Sequence, residues 1–211
     1  MDIYPCTWVA YSDKDSTELD SKEPPKQGRV IKSGTSGDVI WEFDDKGIMT
    51  ISGTGAMENY QHYWSINVCP WADFSDQIST VVIKDGVTYI GEEAFQCCEY
   101  LKEVYIAGSV TRIGNSAFNC CYSLNKIIIS EGVQEIGRGA FRYCTSLETV
   151  DVPNGVTIID PYVFERCSSL KTVIIPNSAA SMTFSIFDGC NALETVNGIE
   201  AEAWKASNLQ P

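Results

Sequence analysis

The residues of this sequence with the most chemistry to offer are nine cysteines and a single histidine, His62. A nucleophilic site of the Ser-His-Asp or Cys-His type would depend entirely on this histidine, because it is the only imidazole that could act as a base. His62 lies between Tyr60 and Tyr63, and no nucleophile–base motif or pair of carboxylates stands out in the chain. We interpret it as a surface or cap-packing residue and predict that the protein is not an enzyme.

Five of the cysteines recur at a constant spacing of 23 residues, each three positions after a phenylalanine that recurs at the same spacing. A small thiol in such a regular position behaves as a buried apolar group. We therefore expect these five to point into the core and to be chemically inert. They are Cys98, Cys121, Cys144, Cys167 and Cys190.

Cys97 and Cys120 form a second column with only two members, on neighbouring units of the repeat. If the units stack closely, their Cα atoms could approach to the ~4.4–6.8 Å that a disulfide requires. The alternative is a metal site formed by the thiolates of Cys97, Cys98, Cys120 and Cys121. Zinc knuckles use Cys-x-x-Cys spacing, however, and adjacent cysteines in a strand or tight turn point apart. We predict no metal and no cofactor, with Cys97 and Cys120 as a disulfide candidate.

A repeat of 23 residues must position these side chains. Each unit reads Leu-x-x-Val-x-Ile, then a corner rich in Gly, Pro and Ser, then Val-x-x-Ile-Gly, and finally Ala-Phe-x-x-Cys. β-Branched residues at a period of two predict a strand, and the Ala-Phe pair predicts a short helical or 3₁₀ turn. One unit cannot bury both of its faces, so the units must stack into a solenoid.

The pattern Leu-x-x-Val-x-Ile-Pro-x-x-Val-x-x-Ile-Gly-x-x-Ala-Phe-x-x-Cys-x-x-Leu, carried by residues 78–197, resembles the BspA-type leucine-rich repeat family. The segment from Trp41 to Met57, followed by Pro70-Trp71, is similar to the cap of bacterial members. The resemblance implies a surface or secreted protein of oral or gut anaerobes or of parasitic protists. It also implies adhesion to host matrix proteins or other surface contacts.

The predicted fold is an α/β solenoid, a short right-handed leucine-rich-repeat stack. We expect β-strands on one face, short helical or 3₁₀ turns on the other, and an N-terminal β-hairpin cap. The predicted segments are an arm or linker over 1–32, a β cap over 33–77, the repeats over 78–197 and a C-terminal cap helix over 198–211.

A solenoid needs caps to cover the ends of its core. At the first end we expect a hairpin whose strands run over residues 39–43 and 48–51. The apolar plugs that we expect are Trp64 and Trp71 at that end, and Trp204 and Leu209 in the C-terminal helix.

The charge of the chain excludes two classes of partner. It carries 15 Lys+Arg against 28 Asp+Glu, for a net charge of -13, and no stretch of it is basic. A nucleic-acid groove and an anionic membrane surface both require the opposite balance. No apolar run reaches the length of a signal peptide or a membrane span either. We predict no nucleic acid and no membrane insertion.

The outward side of the stacked strands is where we expect a ligand to bind. Alternate residues of a strand face opposite sides, so equivalent residues of successive units form outward columns. The first column is Thr80, Glu103, Lys126, Thr149, Thr172 and Thr195. The second is Val82, Tyr105, Ile128, Asp151, Ile174 and Asn197. The third is Lys84, Ala107, Ser130, Pro153, Pro176 and Ile199.

Apolar bulk in the second column indicates an interaction surface, although strand propensity alone would also place Val, Ile and Tyr there. The candidate ligand-binding residues are Tyr105, Ile128, Asp151 and Ile174 from this column, Glu103 and Lys126 from the first, and Tyr89 and Arg112 from the shorter strands.

Two functions follow as hypotheses. The first is a non-catalytic module at the cell surface or outside the cell that binds a protein or glycan through the strand face. The second is a structural spacer or display stalk with no ligand of its own. The family resemblance and the acidic charge favour an extracellular or surface location, whereas the free thiols would also suit the cytoplasm.

Overall fold

The computed structural model describes residues 23–61, 68–179 and 184–208, so the predictions on His62, Trp64 and Leu209 lie outside the described residues. In the described ranges, no helix is both long and apolar enough to cross a bilayer. The strands in these ranges are β1 Val30–Ser36, β2 Val39–Asp44, β3 Ile48–Gly53, β4 Gly55–Ala56, β5 Thr80–Ile83, β6 Val87–Ile90, β7 Glu103–Ile106, β8 Arg112–Ile113, β9 Lys126–Ile129, β10 Glu135–Ile136, β11 Thr149–Asp151, β12 Ile158–Ile159, β13 Thr172–Ile174, β14 Thr195–Val196 and β15 Ile199–Glu200. The helices are α1 Ala201–Asn208 and two 3₁₀ segments, Ala72–Gln77 and Phe184–Phe187.

The chain forms a β-solenoid of about five turns with few helices. Each of the four repeats, or coils, from β5 to β12 contributes one longer and one shorter strand. Equivalent strands of successive coils pair in parallel, except β9 and β11, which belong to different sheets. The longer strands belong to two sheets, β1-β2-β3-β5-β7-β9 and β11-β13-β14-β15. The shorter strands form a third sheet, β12-β10-β8-β6-β4. Two distinct strand surfaces therefore run along the stack.

A ladder of aromatic rings runs through the core. Trp71 stacks on Phe95 with ring centroids 5.2 Å apart, and Phe95 stacks on Phe118 at 5.3 Å with an interplanar angle of 6°. The stack continues through Phe141, Phe164 and Phe187 and ends on Trp204, which meets Phe187 edge-on. The 23-residue spacing thus places one ring per coil in one continuous apolar column.

The N-terminal strands continue the first long sheet. β2 and β3 are antiparallel, and β3 pairs in parallel with β5 of the first coil. The turn between β2 and β3 is held by the buried Asp44 carboxylate, which accepts hydrogen bonds from the N–H groups of Lys46 and Ile48 at 2.9 Å. The Trp71 indole is fully buried at this end, between the rings of Trp41 and Phe95. Its Nε1–H donates to the carbonyl of Ala94 at 2.8 Å.

Turns, and not helices, connect each shorter strand to the next longer strand between residues 91 and 171. Each of these turns contains two residues with a left-handed backbone conformation, and every second N–H group donates a hydrogen bond to the next coil. Phe95 N, for example, donates to Ala117 O at 2.8 Å, and Phe118 N to Ala140 O at 2.9 Å. The helical or 3₁₀ turns predicted at the Ala-Phe pairs of these coils are therefore wrong. In the described chain, helical segments are confined to Ala72–Gln77, Phe184–Phe187 and α1.

Candidate functional site

The strand face, defined as the outward-pointing residues of β5, β7, β9, β11 and β13, has the register predicted for the first two columns within each long sheet. Thr80, Glu103 and Lys126 are in register, and so are Val82, Tyr105 and Ile128. In the second long sheet, Thr149 pairs with Thr172 and Asp151 with Ile174. Equivalent residues therefore lie side by side within each sheet, and the two sheets give the face two parts with different exposure.

In the first part, the apolar residues cover one another. Ile48, Val82 and Tyr105 form a small buried cluster on the outer side of the sheet, with Ile128 packed against it. Tyr105 is only 6% exposed, so the sequence-based expectation of a freely accessible tyrosine was wrong. Strand β3, which precedes the repeats, supplies Ile48, which the repeat pattern alone does not place next to Val82.

Charged neighbours hold the Tyr105 ring in place. Its hydroxyl donates to Glu103 Oε2 at 2.9 Å, and the Lys126 ammonium lies 5.3 Å from the ring centroid. Burial raises the pKa of Tyr105, and the hydrogen bond to Glu103 acts in the same direction. These three side chains are thus occupied with one another.

The second part begins where the long sheet is interrupted between β9 and β11, which belong to different sheets. The inward-facing Ile127 and Ile129 are 8% and 9% exposed here, whereas the equivalent residues of the preceding coil, Val104 and Ile106, are 0% and 2% exposed. Pro153 follows β11 and has no N–H, whereas Ala107, at the same place in an earlier coil, donates its N–H to Ile83 O at 3.1 Å. One connection between coils is therefore missing at the interruption.

Within the second long sheet, neighbouring coils stay linked beyond the paired residues of β11 and β13, because Val152 N donates to Ile174 O at 2.9 Å. Pro176, two residues after β13, has the same place in its coil as Pro153. Pro153 and Pro176 are buried and Ser130 directs its hydroxyl to the carbonyl of Ile106. The predicted third outward column is therefore wrong at these positions, since the strands end before it.

A groove of about 700 Å³ lies across the interruption. Ile128 is partly exposed on one wall, while Asp151 is exposed on the other and Ile174 is 50% exposed beside it. The groove thus collects three of the predicted binding residues. Among the residues that the structure describes, no Lys or Arg lines the groove, and Asp151 and Glu131 make it acidic.

Turn residues complete the groove, and sequence reasoning missed them. Glu131, Asn154 and Asn177 line it at a spacing of 23 residues, so a column of polar turn residues could have been recognised from the repeat. Asn197, predicted to face outward, instead uses its side chain to bind the backbone of Ile175, accepting from N at 2.7 Å and donating to O at 3.0 Å. These bonds join the residue after β14 to the residue after β13, and both residues line the groove.

Tyr89 and Arg112 lie in the sheet of shorter strands, away from the long strands that carry the groove. The Tyr89 hydroxyl donates to Asn59 Oδ1 at 2.8 Å, and burial raises its pKa. Arg112 Nε lies 3.0 Å from Glu135 Oε1. The structure therefore does not bring these two residues together with the other six predicted ones.

The cysteines fall into a buried group and a partly exposed group, according to their position in the coil. Cys98 and Cys121 are buried, whereas Cys97 and Cys120 are partly exposed free thiols on left-handed turn residues of adjacent coils. Burial and the neighbouring Cys120 raise the pKa of Cys97 to about 11. Among the described residues, no group of three or more His, Cys, Asp or Glu side chains is arranged to hold a metal ion.

The profile of the BspA type leucine-rich repeat region matches residues 73–194 in six copies. Proteins of this type are typically found at the cell surface or outside the cell. No curated protein sequence matches the chain.

Solved structures of bacterial leucine-rich repeat proteins are similar to this chain. The leucine-rich repeat protein of T. pallidum is 25% identical, with a TM-score of 0.59 over 80% of this chain and 83% of that one. A leucine-rich repeat protein of Bacteroides ovatus is 27% identical, with a TM-score of 0.56 over 75% of this chain and 45% of that one. One from Eubacterium ventriosum, at 23% identity, has a TM-score of 0.54 over 79% of this chain and 56% of that one. Leucine-rich repeat proteins are generally non-catalytic binding modules, and no enzyme family is indicated.

Proposed function

Because this chain belongs to the BspA-type leucine-rich repeat family, we propose that it is a non-catalytic binding module for an extracellular protein or glycan. The binding surface in this proposal is the groove around Ile128, Asp151 and Ile174. The right-handed winding of the coils and a capping role for β2 and β3 belong to the same proposal. A location at the cell surface or outside the cell would place the groove where such partners occur.

The half-exposed Ile174 beside Asp151 is the observation that carries this proposal. An isoleucine that is 50% exposed inside a groove offers apolar area to a partner, and desolvating such area stabilises a complex. The carboxylates of Asp151 and Glu131, with no basic residue lining the groove, favour a partner that presents an apolar group next to a cationic or hydrogen-bond-donating one.

A binding screen against extracellular-matrix proteins and a glycan array tests this proposal. The informative variant is Ile174→Asp, and Ile158→Asp is its matched control because Ile158 is 43% exposed but lies in the sheet of shorter strands. We expect a ligand whose affinity falls at least tenfold with Ile174→Asp and is unchanged with Ile158→Asp. A ligand that binds both variants like the parent protein would contradict the assignment to the groove.

A structural spacer is the second candidate function, and the closed first part of the strand face favours it. Ile48, Val82 and Tyr105 are buried against one another there, which removes apolar area that a partner could use. Absence of any ligand for the folded protein in the same screen would support the spacer. The location is tested separately, by antibody labelling of intact and permeabilised cells of the source organism, and signal only after permeabilisation would contradict surface display.

A further inference from the structure

Arginines are concentrated in one region of this acidic protein. The chain has five arginines and a net charge of -13. Three of them, Arg138, Arg142 and Arg166, lie on the turns of two successive coils, outside the groove proposed above. A basic cluster on an acidic protein is not explained by solubility and favours an anionic partner.

Arg142 and Arg166 share one carboxylate. Arg142 Nη2 donates to Glu165 Oε1 at 2.9 Å, and Arg142 Nε lies 2.6 Å from Oε2 in an ion pair. Arg166 Nε lies 3.5 Å from Glu165 Oε1. Because Glu165 is buried and carries a single charge, it compensates one of the two guanidinium groups and fixes the Arg142 side chain.

Arg138 has no carboxylate within 4 Å in the described part of the chain. Its guanidinium carbon lies 4.7 Å from the ring centroid of Tyr162, in a cation–π arrangement. The stacked ring orients the planar guanidinium and leaves its N–H groups without an ionic partner. A guanidinium held in this way suits two-pronged binding of an oxyanion, as Arg does with carboxylate or sulfate oxygens.

The space beside Arg138 is a depression of about 390 Å³. Arg142 and Tyr162 border it together with Asn115, Ser116 and Glu165, whose carboxylate is paired with Arg142, and Gly139 contributes no side chain to its wall. Aromatic, amide and hydroxyl groups around a guanidinium are the set that binds a sugar ring bearing an acidic group. Asp188 and Arg166 both border the neighbouring depression. The positive charge of Arg138 is therefore less compensated by nearby carboxylates than the charge of Arg166.

We propose that the depression formed by Arg138, Arg142 and Tyr162 is a second binding site, for an acidic saccharide whose carboxylate or sulfate group pairs with the Arg138 guanidinium. Screening at physiological ionic strength, with a Debye length of about 8 Å, limits repulsion from the acidic groups elsewhere on the protein. The site is independent of the strand-face groove.

Titration calorimetry with three tetrasaccharides tests the proposal: a sulfated heparin fragment, an unsulfated hyaluronan fragment that carries only carboxylates, and neutral cellotetraose. We expect one or both acidic probes to bind and the neutral one to fail. The difference between the two acidic probes then identifies the preferred oxyanion. Equal binding of cellotetraose, or no binding of either acidic probe, would overturn the proposal.

Two variants locate the site. Arg138→Ala should weaken binding of the acidic probe at least tenfold, and Arg138→Lys should give an intermediate affinity because it keeps the charge but loses the planar fork. The control is Arg112→Ala, which removes an arginine that is already paired with Glu135 and should leave binding unchanged. Equal losses in the Arg138→Ala and Arg112→Ala proteins would overturn the assignment. Ile174→Asp should not affect this binding, which separates the two proposals.

Discussion

The Sγ of Cys121 lies 3.2 Å from the carbonyl oxygen of Phe95, which is on the preceding coil. The same contact recurs from Cys144 to Phe118 at 3.3 Å, and from the next two cysteines of the column to their phenylalanines at 3.1 Å and 3.0 Å. The recurring thiol is thus a hydrogen-bond donor as well as an apolar filler. It gives a second hydrogen bond to a carbonyl that already accepts from a backbone N–H, as Phe95 O does from Cys98 N at 3.2 Å.

Thiol labelling should distinguish the two classes of cysteine. Among the described cysteines, we expect iodoacetamide to modify only Cys69, Cys97 and Cys120 in the folded protein, because these three are partly exposed and the others are buried. Burial raises the pKa of Cys69 and Cys97 to about 11, so both should react slowly at neutral pH. Peptide mass spectrometry before and after denaturation measures this. Native labelling of Cys121 or Cys144 would refute the buried ladder.

Cys97 and Cys120 remain a disulfide candidate, and the same experiment tests it. We expect mild oxidation with diamide to protect both from later labelling, since they occupy equivalent turn positions on adjacent coils. Cys69 is the control, because it should remain reactive after the same treatment. Continued labelling of Cys97 and Cys120 after oxidation would show that the geometry does not permit the bond.

Alkaline pH should destabilise the protein. Burial raises the pKa of the Cys144 thiol above its usual value, so the folded protein keeps a proton that the unfolded chain loses. The stabilisation is complete below about pH 8.5 and is lost as the pH rises further, at up to about 1.4 kcal/mol per pH unit for each such thiol. Denaturant titrations between pH 7 and 10 in reducing buffer measure it. The free energy of unfolding should fall less steeply with pH in the Cys144→Ala protein, by the contribution of one thiol. An unchanged dependence on pH would contradict the buried thiols as its cause.

Ser116→Gly should stabilise the protein. Ser116 has a φ of 52°, a left-handed conformation that costs free energy in any residue with a Cβ. Gly139 occupies the equivalent position of the next coil with a φ of 59°. We expect a gain of about 0.5–1 kcal/mol for Ser116→Gly and a loss of about 1 kcal/mol for the control Gly139→Ala, measured by denaturant unfolding. A loss of stability in Ser116→Gly would show that its side chain contributes more than the backbone costs.

Arg142→Ala should destabilise the protein by about 1–2 kcal/mol, since it leaves the buried carboxylate of Glu165 with only the more distant Arg166. Arg166→Ala should cost less than about 0.5 kcal/mol because that side chain is largely exposed. Thermal and denaturant unfolding of both variants checks the difference. Equal effects would mean that the two arginines share the carboxylate evenly.

Several contacts could be predicted from the spacing of the repeat. Residues 23 positions apart are neighbours on adjacent coils, so opposite charges at that spacing predict ion pairs, as in Arg112 with Glu135 and Arg142 with Glu165. The family assignment, the inward cysteine column and the register within each long sheet were predicted in the same way. The exposure of Tyr105 was not, because the residue that helps to bury it, Ile48, comes from outside the repeat.

The sequence alone determined the solenoid, because a strict period forces equivalent residues to stack and makes one unit's pattern hold for all of them. Only the tertiary structure decided where the regular stacking stops. The interruption between β9 and β11, across which the groove lies, cannot be read from the repeat, since Pro176 has the same place as Pro153 and β11 still pairs with β13. The clustering of Arg138 with Tyr162 likewise depends on how two turns pack, since these residues are not equivalent in the repeat. Periodicity specifies what all coils share, and packing specifies how one coil differs from the next.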